Sequence, residues 1–256
     1  MNAGARSIGR LIGMLAVALL ALQLFFLLRI AAMVVVQPES TSFQRSEIWR
    51  IALEKHQLPW SQESVPGNRI SDNLRRAVIA SEDAGFVDHH GVEWDAVEKA
   101  WNRNEKAQAR VEAQQGRTTT RRGADGKPRV VTPKVVGGST ISQQLAKNLF
   151  LSGERNVLRK GQELAITYML EFVLGKQRIL TTYLNNVEWG EGVFGAQAAS
   201  EHYFRTNAAT LGPAQAARLA VMLPAPKKFE RSPASPYVLG RSATIVARMG
   251  GVDLPN

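Results

Sequence analysis

The chain has 256 residues, 45% apolar and 21% charged, the balance of a globular protein, which excludes a wholly disordered chain, a collagen-like repeat and a polytopic membrane protein. Cysteine is absent, which excludes disulfide scaffolds, thiol nucleophiles and cysteine-ligated zinc. Thirty-two Lys and Arg against 22 Asp and Glu give a formal charge of +10, so the protein attracts something anionic: nucleic acid, lipid head groups or a phosphorylated substrate.

Residues 11–36 are apolar except for Gln23 and Arg29, long enough to cross a hydrocarbon core that needs roughly 20 helical residues. Arg29 lies near one end, where it can snorkel. Arg6, Arg10 and the amino terminus precede the run, whereas 37–50 carries two Arg and two Glu, so residues 1–10 are expected in the cytoplasm and the remainder outside it. The Ala16-x-Ala18 spacing sits inside the apolar run rather than after it, which predicts an uncleaved signal anchor. Read purely as a tether, residues 1–36 should be removable and leave a folded domain behind.

Residues 37–67, with Pro59 and Pro66 as breakers, read as a connector holding a short helical piece, and 68–250 as the folded domain. Ser71 can cap a helix carrying Leu74, Ala77 and Val78; Ser139 or Thr140 can cap another with Ile141, Leu145 and Leu149 on one stripe. The segments 157–174, 176–187, 213–223 and 241–249 continue the helical period, with Gly175, Pro224 and Gly250 as stops. Convincing period-2 strands are missing, so the fold class is mainly α. Residues 103–134 break the pattern: nine Lys or Arg against three Asp or Glu give +6, with Gly116, Gly123, Gly126, Pro128 and Pro133. This basic insertion reads as a mobile, solvated loop, with contact to anionic lipid as the alternative. It interleaves no aromatic residues, so nucleic acid is not expected as a partner.

Three superficial signals are set aside. Gly190, Gly192 and Gly195 satisfy G-x-G-x-x-G, but 179–189 reads as helix rather than strand, and Gln215 stands where an acidic ribose ligand is expected. Ser71-Asp72-Asn73 copies a transpeptidase motif, yet no Ser-x-x-Lys and no Lys-Thr-Gly occurs in the chain. His89, His90 and Glu93 have no recognised zinc spacing, and no metal ligand is assigned.

The chemistry-bearing residues fall in four segments. Glu82 and Asp83 end the Ser71 helix and open a stretch with Phe86, His89 and Gly91, where a carboxylate in a partly dry cleft gains the pKa of a useful base. The helix after Gly137 and Gly138 leaves Ser142, Gln143, Lys147 and Asn148 as a polar face suited to sugars and phosphates, the glycines allowing another backbone or ligand close. Arg159 and Glu163 stand four apart with Lys160 adjacent, as an ordinary ion pair would. Residues 183–195 read on spacing alone as a tight helix-to-helix corner.

Together these segments resemble the peptidoglycan glycosyltransferases, glycosyltransferase family 51, in order and from about 43 to 249. Glu82-Asp83-x-x-Phe86-x-x-His89-x-Gly91 looks like the first motif, 138–148 the second, Arg159-Lys160-x-x-Glu163 the third, Tyr183 and Asn185 through Gly190, Gly192 and Gly195 the fourth, and 211–226 the fifth. The closest resemblance is to the monofunctional biosynthetic members, without transpeptidase activity. Two departures stand out: Gln215 occupies a position where many relatives have Glu, and the basic insertion is longer than usual.

The resemblance implies a lysozyme-like, two-lobed α fold that touches the membrane and joins lipid-linked glycan to the GlcNAc 4-hydroxyl of lipid II in the cytoplasmic (inner) membrane, with the catalytic domain in the periplasm. It makes Glu82 the general base, and Ser139, Thr140, Gln143, Gln144, Lys147, Asn148, Arg155, Arg159 and Lys160 the residues that hold substrate and pyrophosphate. Asp83, Phe86, His89, Gly91, Tyr183, Asn185, Gly190, Gly192 and Gly195 support the motifs. Glu163 orients Arg159 or Lys160, or a divalent ion (Mg or Mn) at the diphosphate; no cofactor is otherwise implied. Moenomycin should inhibit and β-lactams should not. A membrane-anchored lytic muramidase is the rival reading, but it has no use for an Arg-Lys pyrophosphate cluster; a non-enzymatic scaffold for cell-wall or division proteins would tolerate loss of Glu82.

Overall fold

The apolar amino-terminal run forms a single helix, α1 (Ala3–Ala32), in the computed structural model, which describes residues 3–115, 138–151 and 156–255. Its stretch Ser7–Ala32, 26 residues, is long and apolar enough to cross a membrane, at about 1.5 Å rise per residue ~39 Å. The helix stops at Ala32, short of the expected residue 36, and Met33–Val36 continue as turns that bond back to Ile30, Ala31 and Ala32. The expectation of a mere tether is corrected here: Phe26, Ile30 and Met33 are buried in the main hydrophobic core, so deleting 1–36 would strip three core side chains from the domain as well as its anchor.

The described residues divide into two compact units, Met1–Gly91 with Ile141–Asn256, and Val92–Thr140. In the first, the connector holds α2 (Ser42–Lys55), opened by a capping box in which Thr41 and Gln44 satisfy each other's backbone N–H groups. Ser71 caps α3 (Asp72–Glu82) as expected, and Leu74, Ala77 and Val78 are its fully buried stripe. Helix α5 (Ile141–Phe150) packs on α6 (Val157–Asn186), whose Gly175 adopts φ 70° and ψ 164° and breaks it into two rods where the sequence predicts a stop. Helices α8 (Pro213–Met222) and α10 (Pro236–Met249) pack on α3; Ala216, Ala217 and Ala220 keep that contact close. Helix α10 begins five residues before the predicted 241, because Ser235 caps it and Pro236 supplies a preset first turn.

The fourth motif is not the helix-to-helix corner its spacing suggests. Between α6 and α7 (Ala196–Phe204) lies a small hairpin, β2 (Glu188–Gly190) antiparallel to β3 (Val193–Phe194), and β1 (Ser61–Gln62) adds in parallel on the other side of β3. Residues 188 and 189, read as helix, are therefore strand. Gly192 turns the hairpin at φ 75°, where a Cβ would sit 1.9 Å from the Pro59 carbonyl oxygen, so no other residue fits. Asn185 anchors the connector, accepting from the Val65 N–H at 3.1 Å and donating to the Val65 carbonyl at 2.8 Å. Gln215, in the position expected to be Glu, accepts the Gly212 N–H at 3.1 Å and caps α8.

The second unit holds α4 (Trp94–Gln115), so the first part of the basic insertion, 103–115, is helical rather than loop. Residues 116–137 lie outside the described residues. Gly138 does admit a close backbone: a Cβ there would lie 3.0 Å from the Ala96 carbonyl oxygen.

Candidate active site

Glu82 is the last residue of α3, half-buried, and it emerges beside the start of α5. Gln144 Nε2 donates to its Oε2 at 3.1 Å, and the Ser81 hydroxyl lies 3.5 Å from Oε1. The orientation of the Gln144 amide is set from behind, because the Tyr183 hydroxyl donates to Gln144 Oε1 at 3.0 Å and leaves the NH2 end facing the carboxylate. Burial, with the neighbouring Asp83 charge, raises the Glu82 carboxyl above its ordinary value. The same burial, with the charges of Glu82 and Asp83, raises the Tyr183 phenol well above its own, so it stays a donor. A carboxylate held by one amide and made more basic than usual is equipped to take a proton from a hydroxyl.

Asp83 is turned into the protein. It is 4% exposed, ends α3, accepts the Ile141 N–H at 2.9 Å, and lies 2.9 Å from His89 Nε2. The Gly91 N–H donates to His89 Nδ1 at 3.1 Å, so Nδ1 carries a lone pair and Nε2 the proton given to Asp83. Gly91 is required: its φ is 93°, and a Cβ would approach Thr167 Cγ2 to 2.8 Å. Phe86 is fully buried with the Lys176 ammonium 4.6 Å from its ring centroid. Asp83 therefore ties the helix that ends in Glu82 to the helix that carries Gln144. Asp83→Asn keeps the shape but turns an NH2 towards one of two donors; this should cost about 2–4 kcal/mol, seen as a fall of several degrees in melting temperature.

The polar face of α5 is narrower than its periodicity predicts. Ser142 is fully buried and donates to Glu171 Oε1 at 2.5 Å, Gln143 is buried, and Lys147 and Asn148 are the residues turned outward. Lys176 reaches the same Glu171 oxygen at 2.8 Å across the Gly175 break. The third motif stands at the start of α6, where Asn156 caps the helix through the Arg159 N–H. Glu163, 3% exposed, is held by Arg159 Nη1 at 3.0 Å and by Lys160 Nζ. Arg159 Nε is buried and has no hydrogen-bond partner among the described residues, a spare donor of the kind an anionic ligand uses. Arg155 lies outside the described residues, and Ser139 and Thr140 belong to the second unit.

Both Glu163 oxygens already serve cations, and among the described residues no three His, Asp or Glu side chains converge as metal ligands.

A further buried carboxylate has no motif to mark it in the sequence. Glu188, on β2 and 6% exposed, has Lys227 Nζ 3.5 Å from its Oε1; Lys227 also pairs with Glu47, which Arg50 holds at 2.8 Å. Burial, with the Glu47 charge, pushes Glu188 up to about 7. The folded protein thus keeps a proton that an unfolded chain releases near the ordinary 4.5, so this group's contribution to stability falls as pH rises from about 4.5 to 7. Glu188→Gln should raise the melting temperature by several degrees at pH 8, for roughly 1–3 kcal/mol, and leave it nearly unchanged at pH 4.5.

The sequence profile of the transglycosylase family matches residues 52–121 and 128–250. A biosynthetic peptidoglycan transglycosylase of Cupriavidus pinatubonensis is 51% identical over 98% of this chain and 92% of its own length. Its counterparts in Cupriavidus metallidurans, 50% identical over 98% of this chain and all of its own length, and Paraburkholderia xenovorans, 48% identical over 94% and 90%, are similar. With the first, second and third motifs now seen as one carboxylate network and one cation cluster, the chain belongs to the transglycosylase family.

Proposed function

We propose that the protein polymerises the glycan strands of peptidoglycan, taking growing lipid-linked glycan as donor and lipid II as acceptor. The observation that carries this reading is Glu82, whose more basic carboxylate is aimed by the Tyr183–Gln144 relay. In the step we infer, Glu82 accepts the proton of the acceptor GlcNAc 4-hydroxyl as that oxygen attacks the donor anomeric carbon. The bond to the diphosphate breaks on the opposite face, its electron pair leaves with undecaprenyl diphosphate, and the new β-1,4 bond forms with inversion, as in inverting glycoside chemistry. A diphosphate leaves as an anion and needs charge stabilisation more than protonation, which is the role given to Arg159, Lys160 and Lys147. Glu163 keeps Arg159 and Lys160 fixed without cancelling both charges.

Membrane contact is supported by α1 and by Val157, Leu158 and Phe172, which stand 86%, 88% and 89% exposed on the α6 rod that packs beside it. We place residues 1–10 in the cytoplasm and the catalytic face on the outer side of the inner membrane, where no nucleotide sugar is available and a lipid diphosphate must bring its own activation. The test is to incubate purified, detergent-solubilised protein with lipid II. A polymer that lysozyme degrades is the expected result; cleavage of preformed glycan without polymer would favour the muramidase instead.

A further inference from the structure

The anchor helix carries one strongly polar side chain between residues 11 and 28, Gln23. Inside a bilayer an amide finds no water, so such a residue persists where protein satisfies it. Its partner is on α6: Gln23 Nε2 donates to Gln162 Oε1 at 2.9 Å, and Gln162 Nε2 donates back to Gln23 Oε1 at 3.0 Å. A reciprocal amide pair uses a donor and an acceptor from each side chain and so fixes the axial register of two helices, whereas apolar packing tolerates sliding.

Gln162 adjoins Glu163 and lies three residues, about one turn, after Arg159. The rod that bears them is cut off from residues 176–186 by the non-helical Gly175, so continuity with that second half does not fix its far end. Near Gly175 the rod is tied to α5 by Ser142 and Glu171. At the other end stand Gln23 and Gln162, and α1 also meets the end of α5 where Phe26 lies edge-on to Phe150, centroids 5.4 Å apart.

We propose that Gln23 is a positioning residue: the membrane helix sets the register of the amino-terminal end of α6, and through it the place where Arg159 and Lys160 meet a polyprenyl diphosphate. This rests on the diphosphate-binding reading of that cluster. The test uses the full chain in detergent, with undecaprenyl diphosphate as the binding probe and lipid II as substrate, for Gln23→Leu, Gln162→Leu and the double variant. Each single substitution should raise the Kd for the probe and the KM for lipid II by roughly 3–10-fold with kcat within about two-fold, and the double should be no worse than either single. Melting temperatures should stay close to wild type. Wild-type protein that binds the probe while both Leu variants bind it equally well overturns the proposal alone. Losses that add in the double variant, or that appear in kcat and melting temperature together, make the pair a structural contact and overturn it too. Wild-type protein that does not bind the probe overturns the reading of the cluster and this proposal with it.

Discussion

Glu82→Gln should lower lipid II turnover by at least about 10²-fold, the low end for loss of a general base. The substitution keeps the volume of the side chain, and the melting temperature should hold or rise slightly, because the folded protein no longer has to ionise a carboxyl whose burial opposes it. Binding of undecaprenyl diphosphate, and of the phosphoglycolipid moenomycin, should persist, since the cation cluster is untouched. Turnover near the wild-type rate would show that Glu82 is not the base. Loss of the fold would show that its bond with Gln144 is structural. In the wild type, the raised carboxyl also sets a direction for pH dependence: activity should climb with pH as Glu82 ionises, with its midpoint above the ordinary 4.5.

Glu163→Gln should fail in a different way. Two cations share this buried carboxylate, and a neutral amide cannot balance them; Arg159, 16% exposed at its side chain, is then left buried and uncompensated. Turnover should fall by roughly 10–100-fold together with a weaker hold on the diphosphate, as expected when a ground-state contact is lost as well as a transition-state one. The melting temperature should drop by several degrees. A variant that keeps wild-type affinity for undecaprenyl diphosphate would remove Glu163 from the binding cluster.

Much of this was legible from the residues, and the misses have physical causes. The stripes of α3 and α5 have a clean helical period, so their buried residues could be named from it. Helix α4 includes 103–115, which is rich in Ala, Gln, Glu, Lys and Arg, all good helix formers, whereas the glycines and prolines of the insertion, Gly116, Gly123, Gly126, Pro128 and Pro133, lie outside the described residues. Strands of two or three residues, such as Val193–Phe194, are too short for any period to appear. The capping box of Thr41 and Gln44 is a local signal, a Thr followed three residues later by a Gln. The partnerships of Asp83, Gln144 and Gln23 join residues 58, 39 and 139 positions apart, and no local pattern encodes them.

Asp83 closes one helix and opens another, and the two are separated in the chain by everything from Val92 to Thr140. The spacing between Glu82 and Gln144 is thus set by a carboxylate and an N–H, not by the length of chain between them. Closing a longer loop costs little, about 0.6 kcal/mol for each doubling. A change in chain length between Gly91 and Gly138 therefore leaves the tie from Asp83 to the Ile141 N–H, and with it the Glu82–Gln144 spacing, to the same two groups.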